Sequence, residues 1–260
     1  MHLLPRFHKL AGGACLIAAL AAGCTATTVA APAVTPSTVP GAVGYYQGTT
    51  GYLALPGAAG PHPGVVMIHE WWGLNDQIKG KADELAREGY VVLAVDLYKG
   101  KVATTAQEAQ TQSQALNQDD AKANMQAAVT FLRARPDVRA DKVASLGWCF
   151  GGGQSLKLAQ AQHDLAATVI FYGQLSSDAA ALKGLPPILC LFGEADQTIP
   201  VGQVQTFDQA LTQAGTPHEI HTYPGAPHAF ANPTNSSGYR ADAAADAWTK
   251  TLAFLKAKLQ

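Results

Sequence analysis

The sequence predicts an α/β protein with a mainly parallel β-sheet covered by helices on both faces. Continuous apolar runs alternate along the chain with segments in which apolar residues recur at helical spacing. Uninterrupted apolar runs are typical of strands in parallel sheets that are buried on both faces. Short loops rich in glycine and proline connect many of these segments. Alternation of strands and helices in this way is the pattern of an α/β fold.

The predicted strands begin with a short segment at residues 51–55, which we expect to lie at an edge of the sheet. The other predicted strands are apolar runs at residues 64–68, 90–95, 143–146, 166–172, 187–192 and 218–223.

Helices are predicted where apolar residues recur every three or four positions, at residues 76–88, 119–135, 152–162, 178–183, 201–214 and 241–258. Gly89 follows the first of these segments as a C-terminal cap, and Pro136 closes the second. Residues 99–117 are weakly patterned and predict a short helix between loops.

Residues 1–23 have the pattern of a signal peptide. Arg6 and Lys9 precede the uncharged run at residues 10–22, which is too short to span a bilayer comfortably. The segment Leu-Ala-Ala-Gly-Cys that ends at Cys24 resembles a bacterial lipobox, although alanine stands where leucine is commonest. We therefore expect export to the periplasm or cell envelope, with membrane attachment through a lipidated Cys24. Simple cleavage near Ala22 is the alternative.

Residues 24–44 contain three prolines and no charged residue, which predicts an extended tether. Residues 45–260 are then expected to form one folded domain, which we expect to be monomeric. The chain of 260 residues has a net charge of −1. It therefore lacks the basic surplus of a nucleic-acid-binding protein.

Cys149 lies at the centre of the motif Gly-Trp-Cys-Phe-Gly at residues 147–151, between a predicted strand and a predicted helix. In such an elbow the central residue is strained, and the glycines allow the chain to reverse tightly. The sulfur is then exposed at a helix N-terminus, where the dipole favours a thiolate. Cys149 is therefore the candidate nucleophile, and an ordinary buried thiol is the alternative. Cys190 lies in an apolar strand and is expected in the core, without a disulfide to Cys149.

A thiol nucleophile needs a base, and the base needs an orienting group. His228 is the candidate base because it lies in a Gly/Pro loop after the last predicted strand. Asp196 is the preferred acid, with Glu194 and Asp96 as competitors. The chain order nucleophile, acid, histidine is that of an α/β-hydrolase. Glu70 also follows an apolar, strand-like run, as the other candidates do. Active sites of open α/β sheets lie at the carboxyl ends of the strands.

Five segments together resemble the dienelactone hydrolase family, over nearly all of residues 52–259. They are HEWWGLN at 69–75, DLY at 96–98, GWCFGG at 147–152, GEAD at 193–196 and YPGAPHAF at 223–230. The resemblance implies an α/β-hydrolase fold and a hydrolase of carboxylic esters or lactones. It further implies that Cys149, Asp196 and His228 form a catalytic triad.

The resemblance also implies that Glu70 holds the resting thiol and helps to deprotonate it when substrate arrives. Pairing of Glu70 with a nearby cation is the alternative. The expected oxyanion hole consists of the backbone N–H groups of Trp71 and Phe150. His69 and Glu70 do not begin an H-E-x-x-H zinc motif, because Gly73 takes the last position. Neither a metal nor a cofactor is expected.

Family members that accept the anionic dienelactone hold its carboxylate with two arginines, one after the DLY segment and one after the H-x-F segment. Here Lys99 and Lys101 follow the first segment, and Asn232 follows the second. A lysine supplies charge but not the planar fork of arginine. We therefore expect neutral or differently shaped esters and lactones as substrates. Large aromatic side chains more often belong to the core, but three of them are candidates for the substrate pocket: Trp72, Tyr98 and Phe230.

Two other classes of protein remain open. A cell-envelope binding protein could keep the fold without useful turnover, although the intact set of nucleophile, acid and histidine argues against it. Proteins of the glutamine-amidotransferase or DJ-1 type also combine an early glutamate with an elbow cysteine. They place a histidine directly after the cysteine, however, where Phe150 stands here.

Overall fold

A computed structural model of the chain describes residues 40–260. The strands are β1 Gly41–Tyr46, β2 Thr49–Ala54, β3 His62–Ile68, β4 Val91–Val95, β5 Val138–Trp148, β6 Ala167–Phe171, β7 Ile188–Gly193 and β8 His218–Tyr223. The helices are α1 Asp76–Arg87, α2 Ala106–Ala115, α3 Gln118–Arg133, α4 Phe150–Ala161, α5 Val201–Ala214 and α6 Ala241–Leu259.

The eight strands form one sheet in the order β1-β2-β4-β3-β5-β6-β7-β8. Strand β2 pairs antiparallel with β1 and β4, and every pair from β4 onward is parallel. The predicted fold class, a mainly parallel sheet within an α/β protein, is therefore confirmed. All the parallel strands end at the same edge, so the loops after them meet there.

Both faces of the sheet are covered, as strand β3 illustrates. Val65 and Met67 belong to the apolar cluster that contains residues of α1, α5 and α6. Val66 and Ile68 belong to a second cluster that contains residues of α3. All four side chains are inaccessible to solvent, and burying each contributes about 1.5–3 kcal/mol. The continuous apolar run in the sequence follows from this burial on both sides.

The folded part of the chain begins earlier than predicted. Strand β1 starts at Gly41, so the tether does not extend to residue 44 and the domain does not begin at residue 45. Val43 and Tyr45 alternate with exposed neighbours and are buried, and the Tyr45 hydroxyl donates a 2.6 Å hydrogen bond to Oδ1 of Asn124. This strand pairs with β2, so the segment predicted as an edge strand lies inside the sheet.

Two further sequence-based expectations have different outcomes. Helix α2 confirms the short helix predicted within residues 99–117. The helix predicted at residues 178–183 is wrong, because this segment forms turns. The Asp178 carboxylate accepts a 2.9 Å hydrogen bond from the backbone N–H of Ala180, which favours a turn over a helix.

The predicted signal peptide at residues 1–23, Cys24 and the tether as far as residue 39 lie outside the described residues. Within residues 40–260, none of the helices combines the length and apolar character needed to cross a membrane.

Candidate active site

Four of the predicted site residues lie where neighbouring parallel strands end. Strands β3 and β5 pair Ile68 with Gly147, so Glu70 and Cys149 each follow the paired position by two residues. Strands β7 and β8 pair Gly193 with Tyr223, and the loops beyond them carry Asp196 and His228. The parallel register therefore brings together side chains that are distant in sequence.

Cys149 occupies the reversal between β5 and α4. Its φ of +53° is rare for a residue with a side chain, and its backbone N–H donates a 2.9 Å hydrogen bond to the Phe171 carbonyl. A Cβ atom at Gly147 would collide with the Gly151 carbonyl, and one at Gly151 would collide with the Ile68 carbonyl. Only glycine fits these two positions, and the half-buried sulfur is consequently held at the N-terminus of α4.

The His228 side chain connects the sulfur to a carboxylate. Its Nε2 lies 3.0 Å from Sγ of Cys149, and its Nδ1 lies 2.7 Å from Oδ2 of Asp196. The ring also packs edge to face against Tyr172, with centroids 5.3 Å apart. These contacts place the predicted nucleophile, base and acid in one hydrogen-bonded chain.

Asp196 is buried and its orientation is fixed by the backbone. Its Oδ1 accepts hydrogen bonds from the N–H groups of Thr198, at 2.7 Å, and Ile199, at 2.9 Å. Burial disfavours the charge, but the hydrogen bonds from His228 and from these amides hold the pKa of Asp196 below its usual value.

The electrostatics of His228 follow from the same contacts. Burial alone would lower the pKa of His228, but its hydrogen bonds to Asp196 and Cys149 raise it to about 10. The raised pKa favours the imidazolium form of the ring at neutral pH. A cation between a carboxylate and a sulfur stabilises negative charge on both.

The two competing acids lie elsewhere. Glu194 is exposed and accepts a 2.8 Å hydrogen bond from the Thr222 hydroxyl. Asp96 accepts hydrogen bonds from the backbone N–H groups of Tyr98 and Gly100, so it closes the turn after β4. Neither carboxylate contacts His228.

Glu70 has a different hydrogen-bond partner from the one expected. Its Oε2 accepts a 2.5 Å hydrogen bond from Nδ2 of Asn232, while its Oε1 is buried without a hydrogen-bond partner in residues 40–260. Burial raises the pKa of Glu70 to about 7, although Asn232 and His228 both lower it. The sulfur of Cys149 pairs with His228 and not with Glu70. The expectation that Glu70 holds the resting thiol therefore does not describe this structure.

Sequence reasoning missed two residues around Glu70. Asn232 follows the H-x-F segment in place of an arginine, and it provides the hydrogen bond to this buried carboxylate. The Tyr172 hydroxyl is buried without hydrogen-bond geometry to any group in residues 40–260, but it lies near enough to Glu70 to lower the pKa of that carboxyl. A buried carboxylate requires a donor, but the sequence alone does not reveal which donor.

Trp71 and Phe150, whose backbone N–H groups are the expected oxyanion donors, line one cavity together with Cys149. The Phe150 N–H belongs to the first turn of α4, where amides have no partner within the helix. The Trp71 N–H makes no hydrogen bond to other described residues. Trp71 and Phe150 are each the third residue after the paired positions Ile68 and Gly147, so the two backbones reach the same level of the sheet edge.

Two cavities adjoin Cys149 and His228. The larger, of about 600 Å³, is lined in part by Trp71 and Trp72. The smaller, of about 360 Å³, is lined in part by Trp71 and Phe150. The larger cavity is also lined by Glu70, by Ala229 and by five uncharged polar residues: Thr198, Asn232, Thr234, Asn235 and Ser236. No lysine or arginine of residues 40–260 lines either cavity.

The predicted pocket residues divide between the cavity and the core. Trp72 lines the larger cavity. Phe230 does not, because its ring is fully buried between Tyr172 and Tyr223, at centroid distances of 5.4 and 5.0 Å. Tyr98 does not line either cavity and packs against the His69 ring at 4.8 Å. The prediction for these last two residues is wrong, since their bulk is used in packing.

The second free cysteine and the side chains of metal-ligating types were also considered in the sequence and can now be located. Cys190 is free and fully buried, as predicted. Within residues 40–260, no group of three or more histidine, cysteine, aspartate or glutamate side chains could hold a metal ion.

Comparisons with known proteins agree with this geometry. The model of the dienelactone hydrolase family matches residues 49–259. A Synechocystis protein named provisionally as a carboxymethylenebutenolidase is 32% identical over 233 residues, which cover 81% of this chain and 92% of the relative. The protein called usf from Aquifex pyrophilus is 35% identical over 216 residues, covering 79% and 92% of the two chains.

A solved structure from metagenomic libraries, described as a dienelactone hydrolase-like promiscuous phosphotriesterase, has the same fold. Its TM-score is 0.78 at 28% identity, with 85% of this chain and 99% of that chain covered. The sheet order and the elbow between β5 and α4 are thus those of an α/β-hydrolase. This chain belongs to the dienelactone hydrolase family.

Proposed function

We propose that this hydrolase cleaves neutral carboxylic esters or lactones, with Cys149 as the nucleophile. The observation that carries the proposal is the chain of contacts from Cys149 Sγ to His228 Nε2, at 3.0 Å, and from His228 Nδ1 to Asp196 Oδ2, at 2.7 Å. Relatives named as carboxymethylenebutenolidases support an ester or lactone as the bond that is cleaved.

In the first half of the reaction, the Cys149 sulfur, whose proton is held on Nε2 of His228, attacks the carbonyl carbon and forms a C–S bond. The carbonyl electron pair moves to the oxygen, which the N–H groups of Trp71 and Phe150 stabilise by about 3–4 kcal/mol each. The oxygen then returns its electron pair, and the bond to the alkoxide breaks. His228 donates its Nε2 proton to the alkoxide, which leaves as an alcohol, and a thioester remains on Cys149.

In the second half, water replaces the alcohol. His228 takes a proton from this water, which attacks the thioester carbon, and the C–S bond breaks to release the carboxylic acid. Asp196 keeps Nδ1 of His228 protonated in both halves, because its own orientation is set by the amides of Thr198 and Ile199.

The proposed preference for neutral substrates comes from the charge of the cavities. Glu70 is the acidic residue that lines the larger cavity, and no cationic lysine or arginine of the described chain lines it. A substrate carboxylate there would lose its hydration without a lysine or arginine to pair with, and the His228 ring in the lining is already paired with Asp196 and with the sulfur. An uncharged ester or lactone avoids that cost and can use the hydroxyl and amide groups of the wall.

The test is turnover by the full chain of p-nitrophenyl butyrate and of neutral lactones. Cys149→Ala is expected to lower kcat by about 10³-fold or more, and His228→Ala by a similar factor. Circular dichroism and thermal unfolding would show whether the variants keep the fold. A Cys149→Ala variant that turns over substrate at the wild-type rate would contradict the assignment of Cys149 as the nucleophile. A wild-type protein that binds these esters without turnover would instead be a binding protein.

We further propose that the mature protein is a monomer in the periplasm or cell envelope, attached to the membrane through a lipidated Cys24. The motif that ends at Cys24 supports this location. Expression in a bacterium, with mass spectrometry of the mature N-terminus, tests the lipid directly. The wild-type protein is expected in the membrane fraction and the Cys24→Ala variant in the soluble fraction. A mature N-terminus with an unmodified Cys24 would exclude the anchor. Sedimentation of the detergent-solubilised protein measures its oligomeric state.

A further inference from the structure

The hydrogen bond between Asn232 and Glu70 lies directly beside the proposed nucleophile. Both residues are buried, with 4% and 3% of their surface exposed. The pairing of Ile68 with Gly147 sets Glu70 and Cys149 at equivalent positions on neighbouring strand ends. Neighbouring strands are about 5 Å apart, so a Glu70 side chain free to rotate could reach the sulfur.

The orientation of the Asn232 amide follows from chemistry. Its Oδ1 accepts hydrogen bonds from the Thr234 N–H, at 2.9 Å, and from the Thr234 hydroxyl, at 2.7 Å. A backbone N–H can only donate, so the atom that faces it must be the amide oxygen. Nδ2 is then the atom that faces Glu70, and Oε2 of Glu70 must accept from it.

The consequence for the sulfur depends on the groups around Glu70. These groups are Asn232 as a donor, the His228 ring and the Tyr172 hydroxyl, whose pKa is raised by burial and by the negative charges of Glu70 and Cys149. Without Asn232, the carboxylate would have lost its donor in a buried site. It could then accept the thiol proton or lie unpaired near a thiolate, and either arrangement disfavours the charged sulfur.

We propose that Asn232 is a positioning residue that holds Glu70 away from the sulfur, so that Cys149 is already paired with His228 before substrate binds. Thr234 locks the amide in the orientation that this requires. The role rests on the proposed function only in that Cys149 is the nucleophile. It differs from the expectation that Glu70 holds the resting thiol, and it assigns to Asn232 the task of preventing that contact.

The experiment measures alkylation of Cys149 by iodoacetamide in the full chain at pH 6.5 without substrate. Peptide mass spectrometry separates this site from the other cysteines. The rate reports the thiolate. Asn232→Ala is expected to lower the rate about tenfold, because the released carboxylate disfavours the charged sulfur. The double variant Asn232→Ala with Glu70→Gln should recover most of the wild-type rate, because the released carboxylate is gone.

A matched control is Asn124→Ala, which removes another buried amide. Asn124 is 2% exposed and hydrogen-bonds to Tyr45 and to the Asp96 carbonyl, not to Glu70. In this variant, iodoacetamide should alkylate Cys149 at the wild-type rate. General loosening of the structure would not be reversed by a change at Glu70, so recovery in the double variant identifies positioning.

Wild-type alkylation in folded Asn232→Ala would overturn the proposal, as would a double variant that stays slow. Should Asn232→Ala fail to fold, Asn232→Asp provides the same test: it keeps an acceptor for Thr234 and places a second carboxylate against Glu70. The same fall in rate is expected, and a wild-type rate would be contrary evidence. Ester turnover is assayed separately, so absent turnover with the predicted alkylation pattern would reject the proposed function and leave this inference standing.

Discussion

His228 lies within hydrogen-bond distance of Cys149, with Nε2 at 3.0 Å from Sγ, although 79 positions separate the two residues in the chain. The contact exists because β5 and β8 end at the same edge of the sheet, with β6 and β7 between them. It requires that the elbow hold the sulfur outward and that Asp196 hold the ring from its other side. Each of these requirements leads to a prediction.

The first prediction concerns the orientation of the imidazole. In Asp196→Asn, the backbone amides of Thr198 and Ile199 would keep Oδ1 in place, so the new Nδ2 would face His228. That donor would favour the wrong tautomer of the ring, and kcat should fall by about 10³–10⁴-fold. Steady-state kinetics on a neutral ester measures the effect. Glu194→Gln, on an exposed neighbouring carboxylate, should behave like the wild type, and a mild effect of Asp196→Asn would contradict the assigned role.

The second prediction concerns pH and stability. The pKa of His228 is raised from 6.5 to about 10 in the folded protein. Between these values the folded state binds more protons at this site than the unfolded state, so the free energy of unfolding falls as pH rises. The contribution is fully present below about pH 6.5 and is lost as pH approaches 10. Urea unfolding across this range should show the decline, and His228→Gln should show a flatter dependence; equal slopes would argue against the raised pKa.

The third prediction concerns substrate charge. Ser236 lines the larger cavity, which has no lysine or arginine in its lining among the described residues. Ser236→Arg should raise kcat/KM for a lactone that carries a carboxylate, relative to a neutral lactone, by about tenfold. A charge-assisted hydrogen bond of about 1.5–3 kcal/mol is sufficient for this. Ser236→Gln, which adds length without charge, should leave the ratio unchanged. A wild-type enzyme that already prefers the anionic lactone would refute the assignment.

The fourth prediction concerns the elbow. Gly147→Ala would place a Cβ atom against the backbone of residues 151 and 152 and is expected to destabilise the fold by about 3 kcal/mol or more. Gly80→Ala is the matched control, because Gly80 lies within α1 with no atom near its Cβ position. That variant should gain about 0.5–1 kcal/mol. Chemical denaturation measures both, and a well-tolerated Gly147→Ala would show that the close backbone approach is not required.

The order and type of most elements were predictable because the parallel strands are buried on both faces. A strand buried on both faces has an uninterrupted apolar run in its sequence, as at residues 64–68. A helix that packs one side against the sheet has apolar residues every three or four positions. Strand β1 was missed because its Gly-rich sequence resembles the preceding tether, and the alternation of buried Val43 and Tyr45 is short. The turns at residues 178–183 were mistaken for a helix because local hydrogen bonding to Asp178 overrides weak periodicity.

By itself, the sequence determined that glycines flank Cys149 and that Asp196 and His228 follow later strands in the order of an α/β-hydrolase. These are local properties, since an elbow and a strand end depend on neighbouring residues. Only the tertiary structure decided that Asn232 holds Glu70, that the sulfur pairs with His228, and that Phe230 lies in the core. Each of these contacts joins side chains from separate strands or loops that packing brings within a few ångströms of each other. Their spacing along the chain does not indicate those distances.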